Sequence, residues 1–250
     1  MKTIQKNNKT VIITGGARRI GAEIARMLHM SDFNILIHYR NSCVAADSLC
    51  NELNTIRENS CFAVKGELDE FATYTLIIEG AMTHFGRIDA LINNASSFYP
   101  TPIETATQAH WQELMASNLK APLFLSQKAI PELKKTNGSI INIIDIYANR
   151  PLANHPIYCS AKAGLQMLTK SLARDLKGNI RVNGVAPGAI LWPENDDTEG
   201  EFQQKLLERI PMNSLGEPDD IAKTIRFLLN DAPYINGQII AVDGGRSVMS

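Results

Sequence analysis

Short runs of apolar, β-branched residues recur along the chain at regular intervals: TVIIT (10–14), NILIHY (34–39), CFAVK (61–65), IDALINN (88–94), SIINIID (139–145), IRVNGVA (180–186) and QIIAVD (238–243). Apolar at successive positions, they have the pattern of strands covered on both faces. Longer stretches with helical spacing separate them, over 19–31, 43–57, 70–85, 107–135, 155–177 and 218–229. This alternation predicts an α/β fold, a doubly wound parallel sheet of about seven strands with helices on both faces. Nothing in the 250 residues reads as a linker or a repeat, so one domain over 1–250 is expected. One segment breaks the rhythm. PENDDTEGE (193–201), acidic and poor in apolar residues, reads either as a solvated loop or as a flap over a site.

Composition narrows the function classes. The 25 basic and 26 acidic residues give a net charge of -1, so no global field favours nucleic acid or an anionic membrane. Any anionic ligand must be held by a few local cations. The opening MKTIQKNNKT has no signal-peptide core, and no later segment reaches the ~18 apolar residues of a membrane span, so a soluble cytoplasmic protein is expected. Cys43, Cys50, Cys61 and Cys159 form no CxxC pair and read as ordinary thiols of a reducing compartment. His29, His38, His84, His110 and His155 have no ligand spacing, so no metal site is expected.

The first strand runs into TGGARRIGAEIARMLH (14–29). A glycine-rich turn between strand and helix presents backbone N–H groups and the positive helix end to a pyrophosphate, with Gly15 and Gly21 permitting the tight turn and close approach. The second strand ends in HYRNS (38–42), where an acid would hold the ribose hydroxyls of NAD. No acid is present in that segment. Tyr39 leads instead into Arg40, Asn41 and Ser42, donors and a positive charge suited to the 2′-phosphate of NADPH; the plainer alternative is a solvated arginine.

Tyr158 and Lys162 stand four residues apart, on one helix face. An ammonium beside a phenol favours the phenolate, so a shift of the tyrosine from about 10 toward 8 is expected, tuning it for proton transfer. TGGARRIG, NNA (93–95) after the fourth strand, Asn118 in the next helix, YCSAK (158–162), and Pro187 with Gly188 after the sixth strand follow the order of the short-chain dehydrogenase/reductase family, which the chain resembles from about residue 10 to Gly245. The resemblance implies a Rossmann-type fold, a nicotinamide cofactor contacted at Gly15, Arg19, Ile20, Gly21, Asn94, Ala95, Ser96, Pro187 and Gly188, and a homotetramer. Lys162 would hold the nicotinamide ribose, and Asn118 would position a water on the proton path. Glu67 and Leu68 stand where the family holds adenine with Asp-Leu.

Two departures sharpen the expectation. Arg19 replaces the middle glycine of the family's turn, and Asp145 stands where the strand before YxxxK ends in serine. A serine hydroxyl donates to a carbonyl becoming an oxyanion, which an ionised Asp145 would repel. The acid instead accepts from N–H groups or, if protonated, feeds a proton toward a ring nitrogen, and so suits a nitrogen heterocycle with a C=N bond. Together with NASSFYPTP (94–102), these residues resemble the pteridine reductases, including bacterial dihydromonapterin and dihydrofolate reductases of this fold. That resemblance implies a pterin stacked on Phe98 and contacted by Arg19, Ser96, Asp145 and Tyr158. Trp192 either shapes the pocket or packs under the acidic loop. The rivals are a carbonyl reductase acting on a ketone such as a 3-oxoacyl thioester, and a non-catalytic NADPH sensor.

Overall fold

The structure, a computed structural model, describes residues 8–190 and 201–249. Strands β1 (Thr10–Thr14), β2 (Asn34–Tyr39), β3 (Cys61–Lys65), β4 (Ala90–Asn93), β5 (Ser139–Ile143), β6 (Arg181–Pro187) and β7 (Ile239–Val242) pair in parallel, in the order β3-β2-β1-β4-β5-β6-β7. Helices α1 (Arg19–Met30), α2 (Cys43–Ile56), α3 (Phe71–Phe85), α4 (Gln108–Met115), α5 (Ala121–Thr136), α6 (Pro156–Asp175), α7 (Glu201–Leu207) and α8 (Pro218–Asn230) connect them.

The even spread of apolar residues in the strands has a direct structural consequence. Val11 and Ile13 enter one core cluster with α1, α2 and α8, while Ile12 between them enters a second with α3 and α5. Ile35 and Ile37 against Leu36, and Ile92 against Leu91, divide the same way. Because successive side chains point to opposite faces, a strand sandwiched between helix layers needs apolar residues at every position. After β3 the chain crosses to the other side of β1, so β1 lies between β2 and β4. The crevice beyond the carboxyl ends of β1 and β4 is the switch point where open α/β sheets bind ligands.

The structure departs from the predicted elements in two places. The stretch 107–135 is two helices joined by a π-helical turn, Ala116–Lys120, rather than one continuous helix. A π turn inserts residues without interrupting the apolar spacing enough to be seen in it, and such turns collect at functional sites. Here it carries Asn118. The short α7 was not among the predicted helices. Trp192 and most of the acidic segment 193–201 lie outside the described residues.

Candidate active site

The turn after β1 is shaped by contacts that leave little room for side chains. Gly15 has φ +59°, and a Cβ there would lie 2.9 Å from Ala95 Cα. On Gly21 a Cβ would collide with the Gly15 carbonyl oxygen. Arg19 itself has φ +52°, a left-handed backbone that glycine adopts freely and that costs another residue roughly 1–2 kcal/mol. Asn94 fastens the turn: its Nδ2 donates to Thr14 O at 2.9 Å and to Gly15 O at 3.0 Å. The first turn of α1 contains no acidic residue, which leaves its N–H groups and positive end to an anion.

His38 braces this turn from β2. Gly15 N–H donates to His38 Nδ1 at 3.4 Å, so the opposite nitrogen carries the proton and donates to Gly66 O at 3.0 Å. Burial pushes the imidazole down to about 4, so it is neutral near neutral pH.

Beyond the turn lies a cleft of about 1130 Å³. Its floor is Gly15, Arg19, Ile20 and Gly21; one wall is Tyr39, Arg40, Asn41 and Ser42; Glu67 and Leu68 close the far end, and Asn94, Ala95 and Ser96 the near one. The helical wall brings Trp111, Gln112, Glu113 and Lys120. A glycine turn too crowded for Cβ atoms, a helix end without an acid in its first turn and a half-exposed arginine fit a phosphorylated dinucleotide.

Asp145, Tyr158 and Lys162 meet in a corner just beyond β5 and on α6, outside the lining of that cleft. β5 ends at Ile143, and Asp145 caps the 3₁₀ turn Ile146–Ala148, its Oδ1 accepting from Tyr147 N–H at 2.9 Å. Tyr158 donates its hydroxyl proton to Asp145 Oδ2 at 2.7 Å. Lys162 is 2 % exposed; its Nζ donates to Ile143 O at 2.9 Å and lies 5.6 Å from the Tyr158 ring centroid. Burial raises the Asp145 carboxyl above its ordinary value, against opposing hydrogen bonds from Tyr147 and Tyr158. It lowers Lys162 to about 8, with Asp145 pulling the other way.

The expected lowering of Tyr158 is reversed. Burial, then the charge of Asp145 and its hydrogen bond, push the phenol well above 10. A carboxylate in direct contact outweighs an ammonium that is more distant and already bonded to a carbonyl. The tyrosine is therefore held as a protonated phenol.

Asn118 is fully buried in its π turn. It accepts from Ser96 Oγ at 2.7 Å and donates to the carbonyls of Ser97 and Leu114, both at 2.9 Å. These bonds pin the segment after β4, which carries Phe98. The Phe98 ring is 53 % exposed, stacks on His155 at 4.8 Å and 13°, and meets Tyr158 edge-on at 4.8 Å. Pro187 ends β6, and Gly188 is packed so closely on Asp243 that a Cβ would sit 2.6 Å away; neither lines the cleft. Sequence reasoning missed His38, Trp111, Glu113 and His155 as site neighbours. His155 stands three residues before Tyr158, but the α4 residues carry no motif.

A switch-point cleft beside a Tyr–Lys helix is the layout of a nicotinamide-dependent oxidoreductase. A family profile described as Enoyl-(Acyl carrier protein) reductase matches residues 15–247, and the chain belongs to the short-chain dehydrogenase/reductase family of oxidoreductases, which use NAD(P)H. It is 32% identical to Pteridine reductase 1 of Leishmania tarentolae, over 95% of this chain and 96% of that one. It is 33% identical to 3-oxoacyl-(acyl-carrier-protein) reductase FabG of Staphylococcus aureus, over 96% and 98%. Glucose 1-dehydrogenase 2 of Bacillus subtilis is 31% identical, over 96% and 95%. Among the described residues no helix is long and apolar enough to cross a membrane.

Proposed function

We propose that this oxidoreductase is an NADPH-dependent pteridine reductase, reducing a C=N bond of a dihydropterin ring. The observation that carries the reading is the 2.7 Å hydrogen bond from Tyr158 to Asp145, in the position where a ketone-reducing site needs a neutral donor. A carboxylate there accepts from the ring N–H and amino groups of a pterin and repels an incipient alkoxide. The exposed Phe98 ring beside Tyr158 offers a flat apolar face to a planar heterocycle. Relatedness to a pteridine reductase along almost the whole chain supports the same reading.

A bound dihydronicotinamide would supply the hydride. Arg40, Asn41 and Ser42 hold the 2′-phosphate end of the cofactor, the Gly15–Gly21 turn its pyrophosphate, and Glu67 and Leu68 its adenine. Lys162 holds the nicotinamide ribose. Tyr158 starts protonated, as a donor in the reducing direction must, and gives its proton to the ring nitrogen directly or through a water. Asp145 orients the phenol, and Arg19 and Ser96 meet the polar edge of the pterin. One NADP-binding unit over 1–250, assembled as a cytoplasmic homotetramer, completes the proposal.

The 33% identity to a 3-oxoacyl reductase supports a second reading, in which a ketone is reduced. Following NADPH oxidation by the purified protein on dihydromonapterin, dihydrobiopterin, dihydrofolate and a 3-oxoacyl thioester separates the two. The pterin reading expects the highest kcat/KM on a dihydropterin. Faster turnover of the thioester would replace it with the second reading, and NADPH binding without turnover of any of them would leave a sensor.

A further inference from the structure

The wall facing Arg40 carries a carboxylate. Glu113 on α4 reaches across the cleft, its Oε1 3.9 Å from Arg40 Nη1, and Tyr99 holds the other oxygen, donating its hydroxyl to Oε2 at 3.0 Å. Both charged side chains are about half-exposed, at 50% and 48%, and both line the cleft. The acid missing from the end of β2 in sequence is thus supplied by a distant helix.

We propose that Glu113 is a specificity-determining residue for the nucleotide, holding the preference for NADPH over NADH below what Arg40 alone would set. The inference rests on the reading of Arg40 as the 2′-phosphate site. Two effects act in the same direction. A 2′-phosphate, close to dianionic at neutral pH, must take Arg40 from a carboxylate that Tyr99 anchors nearby, and it then meets that carboxylate's repulsion. A cofactor with a free 2′-hydroxyl meets no such repulsion and offers Glu113 a donor, the contact an acid at the end of β2 makes in NAD-binding folds. Glu67 and Asp69 also line the cleft, and their charges act on both nucleotides from the far end.

The test is direct nucleotide binding, read from quenching of tryptophan fluorescence, for which Trp111 in the cleft wall is a built-in reporter. The natural protein, Glu113→Gln, Tyr99→Phe, Arg40→Gln and the Arg40→Gln/Glu113→Gln pair are each titrated with NADPH, NADH, 2′,5′-ADP and 5′-ADP. Glu113→Gln should raise the ratio of NADPH to NADH affinity about three- to tenfold, less at high salt, since the groups are half-exposed. Tyr99→Phe should shift the ratio the same way by less, and the effect of Glu113→Gln on NADPH should shrink in the Arg40→Gln background. An unchanged or lowered ratio in Glu113→Gln, with NADPH binding weakened by Arg40→Gln, overturns the inference and leaves the phosphate site standing. NADPH binding indifferent to Arg40→Gln removes the phosphate site, and the inference falls with it.

Discussion

The two ends of the site handle charge in opposite ways. Beside β2, Arg40 and Glu113 face each other at 3.9 Å across a half-exposed gap where water and salt screen both. Beside β5, Asp145, Tyr158 and Lys162 are withdrawn into the protein and bonded at 2.7 to 2.9 Å to fixed partners. The first pair is cheap to break, as the proposed exchange of partners with a nucleotide requires. The second resists change: burial, against the pull of Asp145, moves Lys162 to about 8, and burial together with the carboxylate keeps the phenol protonated. Substitutions in the corner should therefore cost about tenfold or more, and those in the cleft about tenfold or less.

The sharpest way to break that contrast is Tyr158→Phe. It should lower turnover by about 2–4 powers of ten, with the circular dichroism spectrum unchanged, since general-acid catalysis is worth that much. A variant retaining near-natural turnover would move the proton donor elsewhere. Asp145→Ser comes next. Dihydropterin reduction should fall about tenfold or more, while reduction of a 3-oxoacyl thioester falls less or rises; equal loss on both would separate the carboxylate from substrate choice.

A pH series sharpens the comparison further. Lys162 loses its ammonium as pH rises through about 8, so kcat/KM should decline above that point, by up to about tenfold per unit. Stability should move the other way. Between about 8 and 10.5 the unfolded chain binds the lysine proton and the folded one does not, so this group favours the folded state by up to about 3 kcal/mol more as pH rises across that window. Denaturant titrations of the natural protein and Lys162→Met check the sign: the variant should lack this increment. The smallest effect is expected at the open end. Arg40→Gln should weaken NADPH binding about tenfold at low salt and less at high salt, leaving NADH nearly untouched; loss of affinity for both nucleotides alike would make Arg40 a general rather than a phosphate-specific contact.

Much of this is legible in the sequence. The first three predicted strands coincide with β1, β2 and β3, and the others agree to within a few residues, because burial on both faces writes itself as unbroken apolar runs. Tyr158 and Lys162 were visible as a pair because one helix turn sets their spacing. The acid after β5 was visible by its contrast with the apolar run before it. The break at Ala116–Lys120 was not, because helical spacing continues on both sides of a π turn. Nor was the neighbourhood of Phe98, where His155 covers one ring face and Tyr158 meets the edge.

The sequence by itself determined the alternation of strand and helix, the crowded glycine turn and the presence of an acid, a phenol and an amine in one segment. Those depend on preferences and periodicities that act over a few residues. Tertiary structure decided what the charges do. It buried Tyr158 and set Asp145 against it so that the phenol rises rather than falls, lowered Lys162 by burying it, and brought Glu113 to Arg40. The physical reason is that electrostatic energy depends on separation and surrounding dielectric, and both are fixed only when distant parts of the chain pack together.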